Sequence, residues 1–296
     1  MGIKSVEVTD LPPFQAGFSL EFCEGVNVLI GENAVGKTRL THFLEDFAYN
    51  ICNDVNDVFE ESSTIKVSLE GDSTNKLIGA FEFEGKISNS LYIPETQVVI
   101  PNDAGDLIFS LRGNEISIKK PPITILTALE LSLSEKISKI INGKIEFNAE
   151  EQKFYMVKTD GTYFRLSEEA SGYRKLGVLG LLVANGSLQP NTVLFWDEPE
   201  NNLNPALMSD LADILLGLSR NGVQIFISTH SEILASYFAV NREQEEEVQF
   251  TVLYKDGDII KSNTDSRFDL LRPNALLKEP VKLYEKQLER GFGNVL

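Results

Sequence analysis

The chain has 296 residues, enough for one large α/β domain or two modest ones, and its 42% hydrophobic and 24% charged content is that of an ordinary globular fold. No apolar run is long enough to span a bilayer, and the opening Met1-Gly2-Ile3-Lys4-Ser5-Val6 has neither a signal-peptide core nor the Ser or Thr that myristoylation needs at the sixth position. A net charge of −17, from 44 acidic and 27 basic residues, disfavours non-specific DNA binding by the chain as a whole; Cys23 and Cys52 have no metal or redox spacing and are expected as packing residues in a reducing cytoplasm.

In chain order, residues 3–8 alternate as a strand, Pro12-Pro13 interrupt it, and 17–22 lead into a buried strand ending at Ile30. Arg39 to Leu44 opens a helix that is expected to run to about Asn50. Between strand and helix lies Gly31-Glu32-Asn33-Ala34-Val35-Gly36-Lys37-Thr38, a match to G-x-x-x-x-G-K-[ST] in its proper strand–loop–helix setting. Such a loop curls its backbone N–H groups toward phosphate oxygens, and the helix N-terminus behind it adds partial positive charge. Lys37 is then the residue to reach the β- and γ-phosphates, with the Thr38 hydroxyl a ligand for Mg²⁺ and Arg39 opening the helix.

Residues 64–69, 77–84 and 86–93 read as short strands and predict an antiparallel hairpin layer beside this core. Residues 101–120 are loop-rich, and a helix is expected over 123–141, closed by Asn142-Gly143. Strands at 144–148, 154–159 and 163–166 precede a helix at 172–184, a buried strand at 193–196, a helix at 205–218, a buried strand at 223–228 and a helix at 232–240. The acidic stretch 242–247 reads as solvated, and strands 249–254 and 259–262 flank a turn. An amphipathic helix interrupted by Pro280 is expected over 275–290, packed on its own core, with a docking element as the alternative. No internal repeat or sustained heptad is present.

Three segments refine the nucleotide reading. The strand ending Phe195-Trp196-Asp197-Glu198-Pro199 has the Walker B arrangement, which puts Asp197 beside the metal and lets Glu198 polarise an attacking water. A second buried strand ends in Ser228-Thr229-His230-Ser231; His230 can bond the γ-phosphate and hold Glu198 in line, or this stretch can simply cap the next helix. Finally, Ser171 and Gly172 stand where the 172–184 helix begins, either as an anion site or as part of an ordinary cap made by Ser167 with Glu168 and Glu169.

The order of these parts resembles the ATP-binding-cassette ATPases, and the run Asp197-Glu198-Pro199-Glu200-Asn201-Asn202-Leu203-Asn204-Pro205 is similar to that of their OLD, RecF and SMC-like branch. The resemblance implies an α/β P-loop core with a mixed central sheet and flanking helices, an antiparallel β layer and a small α-helical insert. It divides the chain into an N-terminal lobe (1–100), a helical and hairpin insert (101–166), a C-terminal lobe with signature, Walker B and His (167–262) and a helical tail (263–296). It also implies that Ser171-Gly172 completes the ATP site of a second protomer, that 201–204 cross the interface, and that Gln97 stands for the metal- and water-sensing glutamine, unless it is only a solvated loop residue. Phe14 is placed either against adenine or in packing.

The expectation is a cytoplasmic ATPase using ATP and Mg²⁺ that forms a homodimer or higher oligomer through its ATP sites, with no membrane association. The stretch between P-loop and Ser171 is too short for an SMC coiled coil, and the tail after His230 is too short for the nuclease domain of OLD proteins. An effector partner, nuclease or toxin, of the kind that accompanies such ATPases in anti-phage modules such as Septu, PARIS and retron-linked systems is therefore the first expectation. Direct DNA binding in repair or maintenance, a transporter ATPase subunit and a P-loop kinase are the alternatives.

Overall fold

The computed structural model describes residues 2–8, 11, 13–54, 62–69, 76–84, 89–93, 126–151, 153–244 and 246–293. The first half of the chain supplies β1 (Gly2–Val8), β2 (Phe18–Glu21), β3 (Val26–Gly31), α1 (Lys37–Asp54), β4 (Ser62–Leu69), β5 (Lys76–Glu84) and β6 (Asn89–Ile93). The second half supplies α2 (Ala128–Ile141), β7 (Gly143–Asn148), β8 (Lys153–Lys158), β9 (Tyr163–Arg165), α3 (Ser171–Ala184), β10 (Thr192–Asp197), α4 (Met208–Arg220), β11 (Gln224–Thr229), α5 (Glu232–Asn241), β12 (Val248–Asp256), β13 (Ile259–Asp265) and α6 (Ala275–Gly293).

The centre is a six-stranded sheet in the order β13-β12-β3-β11-β10-β6, parallel except for the edge strand β13. Strands β3, β10 and β11 are buried along almost their whole length and mostly apolar because both faces are covered. Alternate residues supply two different cores. Val26, Val28, Ile30, Leu194, Trp196, Ile225 and Ile227 face the core formed with α2, α3, α4 and α5. Leu29, Val193, Phe195 and Phe226 face the other, shared with β1, β2 and Leu40, Leu44 and Phe47 of α1. A four-stranded antiparallel sheet, β2-β1-β5-β4, lies in this second layer, and β7-β8-β9 form a separate antiparallel sheet.

Buried amides join the layers. The Gln224 side chain accepts from Ile3 N–H (2.8 Å) and donates to the carbonyls of Ile3 and Cys23 (2.8 Å each), so it ties the antiparallel layer to the central sheet. Asn27 likewise accepts from Cys23 N–H and donates to the Cys23 carbonyl. No helix among the described residues is long and apolar enough to cross a membrane.

The α/β class, the mixed central sheet and the antiparallel layer are as expected from sequence. Of the strand expected at 86–93, residues 89–93 are described, and they are not in that layer: β6 pairs parallel with β10 and completes the central sheet. A five-residue strand carries its own period but nothing that says which edge receives it, and β10 had an edge to cover. The described α2 begins at Ala128, with Leu126 and Thr127 non-helical; the reading of 123–125 as helix lies outside the described residues. Thr127 and Glu130 form a reciprocal capping box there, the T-x-x-E signal that the periodicity reading passed over. The Ser167 cap is also overturned. Residues 166–168 form a 3₁₀ turn, Ala170 is the N-cap of α3 and makes no side-chain cap bond, and of the expected cap only the Glu169 carboxylate takes part, accepting from the Ala170 N–H (2.9 Å). Lastly, α6 does not lie on the core along its length. Leu276 and Leu277 touch the core, whereas residues 278–290 are exposed, Leu283 and Tyr284 at 60%.

Candidate nucleotide site

The parallel register brings three strand ends level. Ile30 of β3 lies opposite Thr229 of β11, and Ser228 of β11 lies opposite Asp197 of β10. The Gly31–Lys37 loop, the Asp197-Glu198 turn and His230 therefore emerge side by side at the carboxyl edge of the sheet, where ligands of open α/β sheets bind.

The loop needs its glycines. Gly31 has φ +151° and Gly36 φ +92°; a Cβ on Gly31 would lie 2.3 Å from the Leu253 carbonyl oxygen, and one on Gly36 would lie 2.8 Å from the Phe14 ring. Ala34 adopts φ +60°, so the curl of the loop includes one residue with a Cβ penalty. Val35 anchors the loop in the second core, while Glu32, Asn33, Ala34, Thr38 and Arg39 are exposed. Phe14 is 5% exposed and packs on Phe18 at 4.6 Å, so it buttresses Gly36 from inside the core and has no face for a base.

Lys37 is buried, and its Nζ donates to the carbonyls of Gly31 (2.9 Å) and Glu32 (3.0 Å). Desolvation pushes its pKa down to about 8, against the pull of the Glu198, Asp197 and Glu200 carboxylates that favour the charge.

Asp197 is buried and accepts from the Ser228 hydroxyl on the neighbouring strand. Glu198 stands just past the strand end at φ +45°, a region that non-glycine residues seldom enter. Three bonds hold it there: its N–H donates to the Ser228 carbonyl (2.9 Å), Oε2 accepts from Asn201 Nδ2 (2.6 Å), and Oε1 lies 3.2 Å from His230 Nε2. His230 precedes the α5 cap, Ser231, whose hydroxyl accepts from Leu234 N–H (3.1 Å). The cap is made by Ser231, so His230 is left out of it and its ring faces Glu198.

Ser171 is the first residue of α3, and Gly172 packs directly on the turn after β10, where a Cβ would meet the Asn202 carbonyl at 2.6 Å. Further along the same helix Lys175 is buried and donates to the carbonyls of Asn201 (3.3 Å) and Glu198 (3.5 Å). Gln97 lies outside the described residues. Sequence reasoning did not single out Lys175, Glu200 or the Asn201 contact; the signal available was the second acid of Asp-Glu-Pro-Glu and the buried Lys on an otherwise apolar helix face.

The loop residues fit a nucleoside triphosphate: a curled glycine loop, a buried lysine at its base, and a carboxylate–histidine pair on the adjoining strand ends. Fold and family together define a P-loop ATPase with the fold shared by ABC ATPases and SMC heads. Residues 80–236, over half of the chain, match the family described as AAA domain, putative AbiEii toxin, Type IV TA system, and the chain belongs to that family. It is similar over 59 residues, at 41% identity, to the Old nuclease of Escherichia phage P2; the match covers 20% of this chain and 10% of that curated relative. Among solved structures, the SMC head domain from Thermotoga maritima superposes with a TM-score of 0.51 at 14% identity, over 89% of this chain and 98% of that one. An Smc head domain with an extended coiled coil derived from Pyrococcus furiosus, bound to the C-terminal domain of ScpA, gives a TM-score of 0.57 at 9% identity, over 97% and 99% of the two chains. These likenesses establish the shared fold.

Proposed function

We propose that this ATPase hydrolyses Mg-ATP between two copies of the chain and that the resulting closure controls a partner effector. The observation that carries the reading is the Glu198–His230 pair, 3.2 Å apart, at the strand ends that flank the P-loop strand. Lys37 and the loop 31–38 bind the triphosphate, and Thr38 and Asp197 would hold Mg²⁺, which when bound neutralises charge on the phosphates. Glu198 accepts a proton from water, and His230 orients that carboxylate through its ring. The uncapped N-terminus of α3, with Ser171 and Gly172, presents backbone donors suited to the γ-phosphate of the facing copy. Because Gly172 and Lys175 grip the turn that carries Glu198, a phosphate bound at one copy's α3 bears on the base of that same copy.

An effector in anti-phage defence, nuclease or toxin, is the reading supported by the family's description and by the partial likeness to the Old nuclease. The match covers a tenth of that relative, so the nuclease activity in its name is not carried over to this chain by the likeness. The test of the chemistry is steady-state hydrolysis by Glu198→Gln. It should lose about 100-fold or more in kcat with ATP affinity retained; hydrolysis at the native rate would remove Glu198 as the base.

A further inference from the structure

We infer that Glu200 is a positioning residue that fixes the backbone of His230, so that the histidine is held at both ends by two carboxylates of one turn. The inference deepens the reading of the site given above and rests on it.

The Glu200 carboxylate lies two residues beyond Glu198, across Pro199, whose ring restricts the link between them. Its Oε1 accepts from the Thr229 hydroxyl (2.5 Å) and from His230 N–H (3.0 Å). Thr229 Oγ1 in turn accepts from Ser231 N–H (2.9 Å), and Ser231 caps α5. The segment between β11 and α5 is therefore tied to the turn after β10 through one carboxylate oxygen. The His230 ring meets Glu198 at the other end, which closes a loop of contacts: Glu198 to the imidazole, backbone to Glu200, and Pro199 between.

Bonds to a charged acceptor are the strong ones, and two converge here. The other oxygen, Oε2, is buried and has no hydrogen-bond partner among the described residues. A half-satisfied buried carboxylate is costly, so stability gives no reason for an acid at this position. What it does is set the height of His230 relative to Glu198, and a displacement of about 1 Å between reacting groups can cost about a hundredfold in rate. Glu200 reaches Lys37 of the glycine loop only through its charge, a loss that Glu200→Ala and Glu200→Gln share, whereas its hydrogen bonds go to Thr229 and His230, so the positioning effect belongs in kcat.

The experiment compares Glu200→Ala, Glu200→Gln and Thr229→Val in the full chain, by ATPase kinetics and by amide hydrogen exchange at His230. Glu200→Ala should lower kcat by about tenfold to a hundredfold, with KM within about twofold and with faster exchange of the His230 amide. Glu200→Gln keeps an acceptor oxygen and should recover most of that loss, and Thr229→Val should fall between. An unchanged kcat in Glu200→Ala, a loss confined to KM, or a Gln variant as impaired as Ala overturns the inference. Should the Ala chain not fold, Thr229→Val decides: a native kcat and a native His230 exchange rate in it overturn the inference equally. If the unsubstituted chain turns over no ATP, the proposed function fails, whereas the exchange measurement needs no turnover and judges the role of Glu200 alone.

Discussion

Glu198 is the proposed base, and its position is over-determined: a left-handed backbone, an amide donor on one carboxylate oxygen and an imidazole on the other. Strain of this kind persists only where neighbours enforce it, and it is concentrated at sites of function. Lys37 shows the complementary case, a cation whose burial is offset by three carboxylates and two carbonyls. Lys37→Met removes the charge that meets the phosphates and should weaken ATP binding by about tenfold to a hundredfold, measurable by titration calorimetry. The Cys23 thiol, beside the carbonyls of Val26 and Glu247, is pushed by burial from 9.0 up to about 12. Because the folded value is the higher one, its contribution to stability is intact below about pH 9 and is lost as the pH rises toward 12. At pH 8 the Cys23 peptide should therefore alkylate far more slowly in the native chain than in urea, as read by mass spectrometry. The P-loop, Walker B and His motifs were legible because each is a short run whose residues touch the site directly. Glu200 and Lys175 were not, because they act through backbone groups of neighbours that only the fold brings near.

At the scale of elements, α3 and the turn after β10 behave as one unit, since Gly172 leaves no room between them. Gly172→Ala should push the helix off the turn and destabilise the chain by about 1–3 kcal/mol in chemical denaturation, with a fall in kcat beyond what the stability loss explains. The strands of the central sheet were readable from their apolar runs, and the helices from their periods. The sheet to which β6 belongs was not, since pairing is a property of two segments and the sequence shows only one at a time. Amphipathicity likewise did not reveal that α6 leaves the core after its first turn. That difference has a measurable consequence: Tyr284→Ser on exposed α6 should change stability by less than about 0.5 kcal/mol, whereas Leu271→Ala, fully buried just before α6, should cost about 2–5 kcal/mol.

For the whole molecule, the parallel sheet aligns the P-loop, Glu198 and His230 on one edge, while α3 begins at Ser171 and Gly172 behind an N-cap alanine that has no side-chain cap bond. In the proposed mechanism a second copy supplies that helix end to each bound ATP. The direct measurement is sedimentation velocity of Glu198→Gln with and without Mg-ATP, with a Ser171→Asp form beside it. ATP should shift the chain from 33.0 kDa to twice that mass, and Ser171→Asp, which sets a negative charge against the phosphate, should abolish the shift. A chain that stays at 33.0 kDa in saturating Mg-ATP, or that dimerises equally without nucleotide, would contradict it.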